Sequence, residues 1–95
     1  MRSAKAYTLA ERVLALTHAH QERGHQAYTL GLLGEIAARR DPPEVTSAEV
    51  RYHQALVLAE ELGMRPLQAH CYRGLGTLYG RVGRVPQARA VLGTA

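Results

Sequence analysis

Residues 71–92 read Cys71-Tyr72-Arg73-Gly74-Leu75-Gly76-Thr77-Leu78-Tyr79-Gly80-Arg81-Val82-Gly83-Arg84-Val85-Pro86-Gln87-Ala88-Arg89-Ala90-Val91-Leu92. Tyr72, Leu75, Gly76 and Tyr79 recur at helical spacing, so this stretch predicts an amphipathic helix. Gly83 then marks a turn, and Pro86 starts a second helix, because proline fits the first turn, where its missing N–H costs nothing. Working outward, Leu30, Leu33, Gly34 and Ala37 form an equivalent stripe, and Ala48, Tyr52, Ala55, Ala59 and Leu62 another. Gly24, Asp41-Pro42-Pro43, Gly63 to Pro66 and Gly83 to Pro86 punctuate the chain. They divide it into five predicted helices near 3–23, 26–40, 43–62, 66–82 and 86–94. Asp41 is a candidate cap for the third, whose start could slide to Glu44. No segment shows sustained strand alternation.

The sequence overlays itself at a shift of 42 residues. Ala6 falls on Ala48, Leu14 on Leu56, Leu16 on Leu58, Ala27 on Ala69, and Leu33-Gly34 on Leu75-Gly76. The matches are apolar or small residues at packing positions. Each unit is a pair of helices, and the chain holds about two and a half units.

These residues resemble the tetratricopeptide repeat (TPR), with signature W-x2-L-G-x2-Y followed by A-x3-F-x2-A. The last unit reads Tyr72-x2-Leu75-Gly76-x2-Tyr79, then Ala88-x3-Leu92-x2-Ala95. The middle unit reads Leu30-x2-Leu33-Gly34-x2-Ala37, then Ala48-x3-Tyr52-x2-Ala55. Gly34 to Ala48 is fourteen residues where Gly76 to Ala88 is twelve, which places two extra residues in the loop around Asp41-Pro42-Pro43. Ala6-x3-Ala10-x2-Val13 matches only a second helix. Residues 33–43 and 59–66 are similar to the C-terminal TPR arrays of large bacterial regulators of the cyclase or kinase, AAA ATPase and TPR type. No Walker-type or cyclase motif occurs in the chain, so those activities do not carry over.

The resemblance implies an all-α fold, a right-handed superhelix of antiparallel helix pairs. Residues 1–24 would be the second helix of an incomplete repeat, 25–65 a repeat and 66–95 a repeat cut short or ending there. It implies a protein–protein interaction module of a bacterial regulatory or signalling protein. In the family the first helix of each unit lines a concave groove that takes a partner segment. Carried onto this chain, the groove residues are Tyr28, Glu35 and Arg39 from one unit and His70, Arg73, Thr77 and Arg81 from the next. Gly31, Ala38 and Gly80 lie on the same rows. The row becomes basic toward the C-terminus, which fits an acidic segment or a C-terminal carboxylate held by arginine forks. Gly74 and Thr77 stand where the family's chaperone-tail clamp needs Asn and Lys, so that ligand is not expected.

The alternative is a structural role, as a fragment of a longer array or a homo-oligomer formed through open repeat ends. Its contacts would be Ala6, Leu9, Val13 and Leu16, or Val91 and Leu92.

Composition is consistent with both. The chain has 95 residues, no Phe or Trp, and five aromatics that are all Tyr. Small and medium apolar residues suit close helix packing better than a large pocket. One cysteine allows no intrachain disulfide, and with no signal-like or membrane-spanning run this reads as a cytoplasmic protein. The net charge is +4. Residues 1–61 hold all eight acids and seven bases, while 62–95 hold five arginines and no acid. A nucleic-acid role through that basic third, with Tyr72 and Tyr79 stacking on bases, is a lesser alternative. Both tyrosines fall on the packing stripe, where rings are not free to stack.

No cofactor, metal or catalytic site is expected. Gly74-Leu75-Gly76-Thr77-Leu78-Tyr79-Gly80 fails the dinucleotide-loop spacing and has no strand before it. His18 and Glu22 are the one i,i+4 pair of metal-ligand type, without a third partner. His70 and Cys71 are adjacent and diverge on a helix. No paired carboxylate, nucleophile elbow or Cys–His signature is present.

Overall fold

The computed structural model describes residues 2–94, with side-chain surroundings for 5–93. The described residues form four helices and no strand: α1 Arg2–Arg39, α2 Val45–Leu62, α3 Arg65–Arg81 and α4 Val85–Thr94. The expected five helices become four because α1 runs unbroken through Gly24. The predicted division at residue 24 therefore falls inside a helix.

The turns that do form explain why Gly24 does not. Gly63 and Gly83 adopt left-handed φ values of 69° and 79°. In each case the chain then closes the helix end with a backbone bond, Met64 N–H to Ala59 O at 2.8 Å and Arg84 N–H to Tyr79 O at 2.8 Å. This is the geometry in which glycine ends helices most often. Each glycine is followed three residues later by a proline, Pro66 or Pro86, which cannot donate to the preceding turn. Gly24 is followed by His25-Gln26-Ala27, with no such block. A glycine in a helix interior costs about 1 kcal/mol, which weakens a long helix without ending it.

Asp41 does not cap α2. The helix starts at Val45 with Glu44 in the cap position and no side-chain cap bond. The turn is instead fastened by Glu44 N–H donating to Ala37 O at 3.0 Å, and by an Arg40–Glu44 ion pair. Residues 40–44 link α1 to α2 and residues 82–84 link α3 to α4, so the two extra residues expected from the motif spacing are found in the first turn.

The short turns send each helix back along its predecessor. α1 packs on α2, α2 on α3 and α3 on α4, with α1 also touching α3. Ala27, Ala48, Ala55 and Ala59 are fully buried at the crossings. Around them sit Tyr52, Leu75, Leu78 and Cys71, the largest fully buried side chains. Burial of a side chain of Leu size contributes about 1.5–3 kcal/mol. Close approach needs the two motif glycines. A Cβ on Gly34 would lie 3.0 Å from the Tyr52 ring, and one on Gly76 would lie 2.6 Å from Leu92 Cγ.

The arrangement is elongated, 66 × 25 × 14 Å. Its long dimension is α1, whose 38 residues span about 57 Å at 1.5 Å per residue. Among the described side chains, the burial of α1 against the other helices lies from Arg23 onward. Arg23 pairs with Glu61, and Ala27, Gly31, Gly34 and Ala37 are buried. All side chains described from Lys5 to Glu22 are exposed. No described helix is long and apolar enough to cross a membrane.

Candidate functional site

The C-terminal half of α1 and the whole of α3 lie side by side with α2 beneath. Side chains four apart on each helix point to the same open side. Two adjoining cavities form there. One, of about 220 Å³, is lined by Glu35, Arg39, Tyr52, Thr77 and Arg81 among others. The second, of about 510 Å³, is lined by Tyr28, Gly31, Leu32, Pro66 and Leu67. Glu35, His70 and Arg73 line both, so the two form one continuous depression. The structure brings together on its walls all seven groove residues named from the sequence.

The charges are unevenly paired. The Glu35 carboxylate forms an ion pair with the Arg39 guanidinium at 2.9 Å and faces His70 Nε2 at 3.9 Å. Arg81 donates to the Ala38 carbonyl at 2.6 Å, which ties the end of α3 to α1. Arg73 makes no ion pair or hydrogen bond among the described residues, and its side chain is exposed. Three guanidinium groups thus face one carboxylate. An Arg fork can hold a carboxylate through two parallel N–H···O bonds.

Tyr52 forms part of the floor. Burial, and then the Glu35 charge, push its phenol up to about 12, so it stays neutral and can donate as well as accept. The sequence stripe containing Tyr52 marks it as core and does not reveal that its other side faces the depression. Leu32, Pro66 and Leu67 also escaped the sequence reading. They give the larger cavity an apolar wall, and the signal for Pro66 was spent on its role as a helix start.

The two alternative surfaces named for self-association lie on α1 and α4. Leu9, Val13 and Leu16 are 63%, 55% and 72% exposed on the free half of α1, with Ala6 exposed on the same half. Leu92 is half exposed yet touches Gly76, and Val91 is packed against the core. His18 Nδ1 lies 3.6 Å from Glu22, both exposed. Among the described residues no group of three His, Cys, Asp or Glu side chains could hold a metal ion. Cys71 is buried, and burial raises its thiol to about 11. Tyr72 and Tyr79 face inward, Tyr72 partly and Tyr79 almost fully buried.

Comparison of the chain with family models, with curated proteins and with solved structures finds no match to any of them.

Proposed function

We propose that the chain is a TPR-like protein–protein interaction module that holds an acidic partner segment in the depression between α1 and α3. The observation that carries this reading is the convergence of Arg39, Arg73 and Arg81 on one open groove with a single opposing carboxylate, Glu35. A groove of helix-mounted charged side chains is suited to holding a partner segment. The larger cavity, with Leu32, Pro66 and Leu67 on its wall, would take an apolar side chain of the same segment. In this reading the two helix pairs α1–α2 and α3–α4 are successive repeats of a right-handed superhelix. The parent protein is a cytoplasmic bacterial regulator, and the module has no catalytic role of its own.

The test is binding of a fluorescent acidic peptide, set against neutral and basic peptides of equal length. Arg73→Glu is the informative variant because Arg73 has no structural partner to lose. Loss of a charge-assisted pair of hydrogen bonds should weaken the acidic peptide about 10- to 100-fold, with helicity unchanged. Affinity should also fall as salt rises. Equal binding of all three peptides, or an unaffected Arg73→Glu variant, would refute the groove assignment.

A further inference from the structure

At the repeat shift the free half of α1 aligns with α2, matching it at Ala6, Leu14 and Leu16, and the exposed face of its other half aligns with a buried face of α3. At the 42-residue shift, Ala6, Ala10, Val13 and Leu14 fall on Ala48, Tyr52, Ala55 and Leu56. All four α2 residues are buried, whereas all four α1 residues are exposed. At the same shift Leu33 and Ile36, 39% and 46% exposed, fall on Leu75 and Leu78, 0% and 1% exposed. In the α2–α3 contact the large Tyr52 ring lies on Gly74. The equivalent pair is Ala10 and Leu32, small against large with the sizes exchanged. The chain therefore carries both halves of a second helix contact of the α2–α3 kind, and neither half is covered.

The two halves cannot meet within one chain. Ala10 and Leu32 sit on a single unbroken helix, about 33 Å apart along its axis. We propose that two copies of the chain pair through α1, antiparallel, with the free half of each helix on the Leu32–Ile36 face of the other. The contact is isologous, so Ala10 of one copy meets Leu32 of the other and the reverse holds across the axis. The symmetry axis passes near Gln21 and Glu22, midway between residues 10 and 32.

The exposed area agrees with this pairing. The chain exposes 6780 Å², whereas a folded monomer of its mass exposes about 5,400 Å². The excess, about 1,400 Å² per copy, doubles to an area in the range of stable homodimers. The radius of gyration is 18.1 Å, against about 12 Å for a compact domain of this length. The pairing shares Leu32 with the wall of the larger cavity, where Ala10 of the second copy would join that wall, and its test reads mass and trapping rather than peptide binding.

The experiment is disulfide trapping in a Cys71→Ala background, with Ala10→Cys and Leu32→Cys in the same chain. The unmodified chain is followed in parallel by light scattering over a dilution series. Pairing predicts a mass twice the 10.4 kDa of one chain and a reducible covalent dimer on a non-reducing gel. Two single variants, Ala10→Glu and Leu32→Lys, should each be monomeric and form a mixed dimer when combined, because only that mixture places Glu against Lys. Both positions are exposed in the single chain, so neither change threatens its fold. A disulfide closed within one chain would mean that α1 breaks at Gly24 and folds back, and it would overturn the proposal. So would a monomer at every concentration, or the absence of any trapped bond.

Discussion

The ring of Tyr52 on α2 lies so close to Gly74 on α3 that a Cβ at position 74 would sit 2.6 Å from its Cζ and overlap its hydroxyl. The same ring limits Gly34 on α1, where a Cβ would lie 3.0 Å from Cγ. Tyr52 is thus wedged between glycines on both neighbouring helices, and the three helices take their spacing from it.

Gly74 and Gly80 belong to the same helix and should respond oppositely to alanine. At Gly74 the added methyl must displace a buried ring, and such overpacking costs about 1–3 kcal/mol. At Gly80 a Cβ meets nothing within 4 Å, so only the helix preference remains, and Gly80→Ala should stabilise by about 0.5–1 kcal/mol. Thermal melts of the two variants should move in opposite directions. A shared direction would contradict the Tyr52–Gly74 packing.

High pH should unfold the chain through its buried phenols. Tyr52 and Tyr79 are each raised from 10.0 to about 12, chiefly by burial, with Glu35 acting next on the first and the Glu49 hydrogen bond on the second. A phenol whose folded pKa lies above its unfolded one favours folding fully below about pH 10. That contribution is lost as pH rises toward 12, because the unfolded chain releases its protons first. Helicity should therefore decline in that window. Tyr79 donates to Glu49 at 2.6 Å, so Tyr79→Phe should cost about 1 kcal/mol at neutral pH and show a shallower alkaline loss. A Tyr79→Phe variant as steep as the parent would remove Tyr79 from this account.

Much of the fold was legible where a residue had one physical job. Pro66 and Pro86 could only begin helices, and both sit in the second position of one. Gly34 and Gly76 recurred at one repeat position, and both are tight contacts. Legibility failed where a residue's effect depends on partners elsewhere. Gly24 looks like Gly63 in isolation, and the difference lies in the proline that follows only the latter. Asp41 has the chemistry of a cap, yet Pro42 and Pro43 keep it three residues short of the Glu44 cap position. Gly74 had no evident purpose until Tyr52 arrived from another helix. In the site, the charged walls followed from repeat position, while the Tyr52 floor and the Leu32–Pro66–Leu67 wall depend on how α1 and α3 come together.

Cys71 should be inert in the native chain. It is fully buried beside Gly31, and its thiol is raised to about 11, so little thiolate exists at neutral pH. Reaction with a thiol-titrating disulfide reagent should be slow in buffer and rapid in denaturant, with the native rate following chain opening. Cys71→Ser should lose about 1–3 kcal/mol by placing a hydroxyl among apolar neighbours. Rapid native labelling would mean that the α1–α3 contact opens readily.

Glu35 sets the charge balance of the groove, and its removal should strengthen binding of an acidic segment. Its carboxylate occupies Arg39 and faces His70, the same groups an incoming carboxylate would use. The Arg39–Glu35 pair joins neighbouring turns of one half-exposed helix face, and such pairs contribute only about 0.3–0.5 kcal/mol to stability. Glu35→Gln keeps the shape and a hydrogen-bonding oxygen while freeing the guanidinium. Affinity for an acidic peptide should rise by about threefold to tenfold, corresponding to about 1 kcal/mol, with a steeper decline as salt is added. Affinity for a basic peptide should fall. Arg73→Glu changes charge in the opposite sense, so the two variants should move acidic-peptide affinity in opposite directions from the parent. If both weaken it, Glu35 contacts the partner directly, and the groove recognises a segment with a cationic group set against that carboxylate.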